Sequence, residues 1–325
     1  MSAVEERVRA ELESRRERLA GAAAERGEQR LVELLVRVDS ALEQLEHGSW
    51  GLCAACAVAI EPELLAADPL VSVCLECLSE EDRRALERDL EGAARVQQRL
   101  LPPPTLEHDG WELAWLWEPR SAVSGDHVDV LPAGGEDEPL HLLVGDVAGK
   151  GVAASLLQTH LHALFRALAT PRVGLASVVG QVNRLFAQAT GLASYATLIA
   201  ARLHPDGAVE LVNAGHPRPL VADRRGVRPV EGAGLPLGMF RDSEYVAHEL
   251  RLVAGQVLLL YTDGLTEALA GGEEYGVGRA AAALRRHAGR PLAELLGACR
   301  AELEDFLDGG RRDDDLTLVA LRRTR

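Results

Sequence analysis

The chain has 325 residues, long for one domain and comfortable for two. Hydrophobic residues make up 47% and charged residues 26%, so a sizeable core can form and disorder is excluded as the main state. With 35 lysines and arginines against 50 acids, the formal net charge of −15 disfavours broad electrostatic binding to nucleic acid.

No uncharged apolar run approaches the roughly 20 residues that span a bilayer, so no membrane partner is expected. The opening MSAVEERVRAELESRRERL is charged throughout and does not read as a secretory signal. A cytoplasmic location is the resulting expectation.

Residues 4–46 read as helix with a weak point between Gly21 and Gly27. Leu31, Leu35, Val38, Leu42 and Leu45 then recur at steps of three and four, an apolar stripe on one helical face. Such a stripe suits an intramolecular helical pack or a homodimer equally. Cys53, Cys56, Cys74 and Cys77 follow, two C-x2-C knuckles separated by 17 residues. That spacing lets two pairs of thiolates close a tetrahedron around one structural Zn(II). Two disulfides are the competing reading, which a reducing cytosol disfavours. The remaining cysteine, Cys299, lies in an apolar helical pattern and reads as a small buried hydrophobe.

Ser79, followed by Glu80, Glu81 and Asp82, marks a helix start. The helix runs 79–100, with Leu86, Leu90, Ala93 and Leu100 along it, until Pro102, Pro103 and Pro104 stop it. Beyond residue 111 the texture changes to short strand-like runs: ELAWLW, HLLVGDV, YATLIAARL, VELVNAG, QVLLLYTDG and LTLVALR. Helical patterns at about 151–169, 173–190, 277–287 and 291–307 fall between them in blocks. Strands and helices in blocks predict an α+β layered domain. Neither G-x-G-x-x-G between strand and helix nor a Walker-type loop occurs, and GDVAGKGVAAS fits neither spacing.

Aspartates gather beside glycine at the ends of the apolar runs: Asp126 and Asp129 in SGDHVDV, Asp146 in VGDVAGKG, Asp263 in YTDGLTEA, and Asp313, Asp314 and Asp315 in RRDDDLTLV. A single Asp-Gly at a strand end is commonly a turn. Four separate occurrences point instead to a convergent acidic site. Converging carboxylates repel and need cations, and hard ions such as Mg(II) or Mn(II) prefer oxygen ligands. Two such ions about 3.5–4 Å apart can activate water against a phosphoryl group without a nucleophilic serine or cysteine. No G-x-S-x-G elbow is present.

Nine motifs then resemble, in order, the SpoIIE/RsbU-type branch of the PPM (protein phosphatase 2C-like) serine/threonine phosphatases. They are ARVQQRLLPP, WEPRSAVSGDHVDV, LLVGDVAGKGVAASLL, VNRLF, YATLIAARL, LVNAGHPRPL, GLPLGMF, LLLYTDGLTEA and DDDLTLVAL, spread over about 94–322. The resemblance implies a β-sandwich flanked by helices with two Mn(II) or Mg(II) ions at one end. By position, Asp146 matches the aspartate that bridges both metals, and the Val147 carbonyl completes one site. Asp263 and Asp314 match the carboxylates of the second metal. Asp126 matches an acid that binds metal directly or through water. Asp129 and Asp315 match residues that orient ligands or loops. Gly145, Gly149 and Gly151 let backbone pass near the ions, and the helix from Gly151 looks like the family's regulatory helix. His216 fits its motif as a turn residue or proton donor. Ser124 and His127 depart from the family pattern, which often has glycine and an aromatic residue there.

HGSWGLCAACAVAIEPELLAADPLVSVCLEC resembles the DksA/TraR-type zinc finger over about 30 residues. That resemblance implies a contact with RNA polymerase, set against a rigid knuckle or a redox sensor. The expected organisation is a helical segment at 1–47, the finger at 48–78, a linker helix at 79–104 and the PPM-type domain at 105–325. The expected activity is a metal-dependent serine/threonine phosphatase. By resemblance, its substrate is a phosphorylated STAS-domain anti-sigma-factor antagonist. The alternative is a finger that binds RNA polymerase or senses redox, with the larger domain as scaffold.

Overall fold

The computed structural model describes residues 3–26, 29–131, 138–170, 173–190 and 194–325. The chain divides into two compact units, Met1–Asp89 and Leu90–Arg325.

In the first unit, α1 (Ala3–Arg26) and α2 (Gln29–Glu46) pack together, and the junction at 27–28 lies outside the described residues. Ion pairs from Arg16 to Asp39 (2.7 Å) and from Arg9 to Glu46 (3.8 Å) show that they run antiparallel. The stripe read on α2 turns inward: Val38, Ala41 and Leu45 are buried with Leu12 of α1 and Leu70. This face is therefore occupied within the chain. The cysteine segment follows with α3 (Pro62–Ala67) and a 3-10 turn at Leu75–Cys77. The Ala54 N–H donates to the Ser72 carbonyl (2.8 Å), which ties the two knuckles together.

Helix α4 (Glu80–Leu100) starts where the capping pattern predicts. The Asp82 N–H donates to Ser79 Oγ (3.1 Å), and that hydroxyl donates to the Asp82 carboxylate (2.6 Å). Only Gln97 is buried on this helix, while Leu86 stays exposed.

The second unit stacks two antiparallel sheets between two helical layers. Sheet one has the order β1 (Thr105–His108), β2 (Trp111–Glu118), β13 (Leu316–Arg323), β10 (Val257–Tyr261), β7 (Leu220–Asp223) and β8 (Gly226–Pro229). Sheet two has the order β3 (Asp126–Leu131), β4 (Leu140–Val147), β5 (Ala196–Leu203), β6 (Ala208–Ala214) and β9 (His248–Arg251). A small ribbon, β11 (Leu269–Ala270) with β12 (Glu273–Glu274), stands apart.

Strand side chains alternate between two cores. On β10, Leu258 and Leu260 enter the core between the sheets. Val257, Leu259 and Tyr261 face the other way, toward α8 (Gly276–His287) and α9 (Leu292–Leu307). Burial on both faces makes such strands nearly continuous apolar runs, which is why QVLLLYTDG was legible. Sheet two backs in the same way onto α5 (Gly151–Leu168) and α6 (Leu175–Ala189) through Leu143, Leu198, Phe165 and Phe186. Cys299 is buried in the α8–α9 layer, as its apolar pattern predicts. The α+β sandwich flanked by helices, preceded by helices and a four-cysteine cluster, is thus the architecture found.

Candidate metal centre

Four carboxylates reach one end of the sandwich by separate routes. Asp126 opens β3 and pairs across the ladder with Asp146 of β4. Asp263 opens the short helix α7 (Asp263–Thr266) just after β10. Asp314 lies just before β13. Tyr261 pairs with Leu318, so Asp263 and Asp314 flank the same end of two neighbouring strands.

Their mutual repulsion registers the convergence. Burial pushes the Asp146 carboxyl up to about 7, and Asp263 and Asp314 are its next strongest influences. Asp263 is raised by burial first and then by Asp314. Among the described residues, no three of these carboxylates come within 4.8 Å of one another.

Two glycines make the close approach possible. A Cβ on Gly125 would stand 3.0 Å from the Val147 carbonyl and 3.1 Å from Asp146 Oδ1. These two oxygens therefore face one small space, which any side chain at 125 would fill. A Cβ on Gly264 would stand 1.8 Å from the Asp315 carbonyl, so only glycine lets α7 lie against the 314–315 backbone.

Asp126 is almost fully buried and ties the sheets together. Its Oδ2 accepts hydrogen bonds from Thr262 (2.9 Å) and Thr317 (2.5 Å), both from sheet-one segments. Burial, then Asp146, holds its carboxyl well above the usual range. Asp315 accepts from Ser124 Oγ (2.7 Å) and from the backbone N–H groups of Arg120 (2.6 Å) and Gly125 (3.0 Å). It fixes the loop that delivers Asp126. Ser124 is thus put to use: its hydroxyl also accepts the Asp126 N–H (3.0 Å). Lys150 donates to the Asp313 carbonyl (2.6 Å) and sits 3.1 Å from an Asp314 oxygen.

Asp129 faces away from this end. Both its oxygens accept from Arg166 of α5, at 2.8 and 2.9 Å, locking that helix to β3. His127, Asp129 and His162 also form a cluster within 4.8 Å. Arg166 holds Asp129 and Gln158 pairs with His127 Nδ1 (2.7 Å), while His127 Nε2 and His162 Nδ1 are buried without a hydrogen-bond partner among the described residues. Burial pushes His127 down to about 4 and His216 down to about 3, so both are neutral. His216 closes a turn: its N–H donates to Asn213 Oδ1, its carbonyl accepts from Asn213 Nδ2, and its ring pairs with Thr197. The turn role is the one that the geometry supports.

The sequence reading placed Gln97 in ARVQQRLLPP without a role; its amide pairs with the N–H and the carbonyl of Ser124 (3.0 and 2.8 Å). The reading missed the functional weight of Thr262, Thr317, Gly125 and Gly264. For the threonines a signal existed: each is a lone hydroxyl at the end of an apolar strand and next to the aspartate motifs.

The donor chemistry separates the two metal types. Hard oxygens at 126, 146, 147, 263 and 314 suit Mn(II) or Mg(II). The four thiols at 53, 56, 74 and 77 lie within 4.8 Å of one another, with Cys56 Sγ and Cys74 Sγ 3.8 Å apart. A ZnS4 tetrahedron with bonds of about 2.3 Å has edges of about 3.8 Å.

A family profile described as Stage II sporulation protein E (SpoIIE) matches residues 136–324. Protein IcfG of Synechocystis sp. is 25% identical over 265 residues, covering 72% of this chain and 41% of that protein. Phosphoserine phosphatase RsbP of Bacillus subtilis is 26% identical over 235 residues, covering 70% of this chain and 56% of that protein. The chain therefore spans about half the length of these curated relatives. The SiaA-PP2C domain of Pseudomonas aeruginosa superposes with a TM-score of 0.65 at 24% identity, covering 74% of this chain and 98% of that one, which is a likeness of fold. With the profile covering more than half of its length, the chain belongs to the SpoIIE family.

Proposed function

We propose that this chain is a Mn(II)- or Mg(II)-dependent protein serine/threonine phosphatase of the PPM type. The observation that carries the reading is the convergence of Asp146, Asp263 and Asp314, from both sheets, on one end of the sandwich. Asp146, the Val147 carbonyl, Asp263 and Asp314 would hold two ions, with Asp126 binding directly or through water. The ions would supply Lewis acidity toward phosphoryl oxygens and lower the pKa of water enough for attack at neutral pH. The chain's own part is preorganisation. The threonine clamp on Asp126, the Asp315 clamp on residues 120–125 and the two glycines fix the acids before substrate arrives. His216 is buried and neutral, and in this reading the leaving serine oxygen takes its proton from water or a nearby acid.

The substrate in this reading is a phosphorylated STAS-domain anti-sigma-factor antagonist, whose dephosphorylation frees a sigma factor from its anti-sigma kinase. Support comes from the family and from the relative named phosphoserine phosphatase RsbP. The work takes place in the cytoplasm, and the four-part division at 47, 78 and 104 belongs to the same proposal. The test is phosphate release from phosphorylated STAS-domain proteins, expected with Mn(II) or Mg(II) and absent without them. Release that ignores both ions would overturn it. The alternative, with the finger binding RNA polymerase or sensing redox above an inert scaffold, predicts no release at all. The convergent acids favour the enzyme.

Cys53, Cys56, Cys74 and Cys77 would hold one structural Zn(II). Hydrogen bonding from the Cys74 backbone brings Cys53 down to about 6, while the neighbouring thiols push Cys77 up to about 12. Four thiols so crowded cannot all ionise without a cation. Elemental analysis should find one zinc per chain, and none in Cys74→Ser, with 48–78 then cut readily by protease. An unchanged zinc content in that variant would refute the assignment.

A further inference from the structure

Large apolar side chains collect beside the acidic end. Val152 and Leu156 lie on the first two turns of α5, which begins four residues after Val147. Tyr195 lies beside the residue that follows Val147: its carbonyl accepts the Ala148 N–H (2.9 Å). Ala196 exchanges hydrogen bonds with Leu237 (2.9 and 2.7 Å), which brings in the segment holding Met239 and Phe240. Val152, Leu156, Tyr195, Met239 and Phe240 are between 37% and 65% exposed, where a buried alternative would have lowered the free energy. Single exposed apolar residues are ordinary, but a group around one site marks an interaction surface.

The local backbone is built to hold Met239 and Phe240 outward. Asn183 of α6, fully buried, accepts the Gly238 N–H at Oδ1 (2.8 Å) and donates to the carbonyls of Phe240 (2.8 Å) and Arg241 (3.0 Å). Gly238 adopts φ +84° and sits against the Phe186 ring, where a Cβ would approach to 3.0 Å. A buried amide with three bonds thus fixes the turn that carries these two half-exposed side chains.

We propose that this rim is the docking surface for the folded domain that carries the phosphoserine, and that it selects a substrate with an apolar patch around that residue. This rests on the phosphatase reading and names how its protein substrate is recognised. An ester bound at the acids brings its parent surface over the bordering residues. The acids repel an anionic segment, and Lys150 is engaged by Asp313 and Asp314. The bordering residues offer the parent protein an apolar contact surface.

The test uses Met239→Ser/Phe240→Ser in the full chain, with two probes. One is a phosphorylated STAS-domain protein, and the other is a ten-residue phosphoserine peptide from the same site. Binding of the phosphorylated domain is measured calorimetrically in an Asp146→Asn background, where turnover does not interfere. The double variant is expected to weaken it at least tenfold. In the active enzyme, the ratio of kcat/KM for the domain to that for the peptide should fall at least tenfold, through KM. Undiminished binding, or equal losses on both probes, would overturn the docking surface. Tight rim-dependent binding by a chain that releases no phosphate would uphold the surface and overturn the phosphatase reading alone.

Discussion

Asp146→Asn is expected to lower Mn(II)-dependent phosphate release by about 10³-fold or more while the chain stays folded. The position sits between the two sheets' contributions: it pairs with Asp126 across β3–β4 and feels both Asp263 and Asp314. Asparagine keeps the shape but removes the charge, and it can turn an N–H toward ions that need an oxygen. Fold should survive because the substitution relieves repulsion and removes no packing. Asp263→Asn should behave alike. Asp129→Asn provides the contrast: its partner is Arg166 on α5, so its loss should loosen the helix and cost activity far less. Circular dichroism and a melting curve establish the fold, and single-turnover kinetics at saturating Mn(II) measure the loss. Asp146→Asn with activity within tenfold of the parent would remove the acids from the mechanism.

Much of this architecture could be read before the coordinates, and the reason is burial. The strands buried on both faces, such as β4, β5, β10 and β13, announce themselves as apolar runs between Gly and Asp turns. The four-residue strands β1, β7, β8 and β9 lie near or at sheet edges and carry too few residues for a period to show. β3 escaped for another reason. Its DHVDV stretch is buried, but its polar residues serve the site, with Asp126 on the threonines and Asp129 on Arg166. A strand that carries function breaks the pattern that identifies strands. The aspartates proposed to hold metal were legible as acids at the ends of apolar runs. Their clamps were not, because Gln97 and Asp315 act on residues 27 and about 190 positions away. The stripe on α2 was legible as a stripe, but only contacts show that α1 covers it.

In metal-free buffer, Asp146→Asn is expected to be more stable than the parent at pH 8 and nearly equal to it at pH 4.5. The Asp146 carboxyl is raised to about 7, chiefly by burial and then by Asp263 and Asp314. In the unfolded chain it titrates near 3.9. Below about pH 4 it is protonated in both states and imposes no penalty. Between 4 and 7 the native state binds the extra proton, so this group's contribution to stability falls as pH rises; above 7 the loss is complete. Asparagine resembles the protonated acid at every pH and escapes the loss. Full conversion at 1.36 kcal/mol per unit would give about 4 kcal/mol, and partial solvent contact reduces this to about 2 kcal/mol. Bound cations reverse the sign, because they stabilise the ionised site that protons otherwise occupy. Millimolar Mn(II) should therefore raise the Tm of the parent at pH 8 by 5 °C or so, and by much less at pH 4.5, where protons compete. Asp146→Asn should respond weakly at both. Calorimetry across that range, with each buffer matched in ionic strength, decides the matter. A stability difference between the two chains that stays constant with pH would mean that Asp146 is not held among other carboxylates.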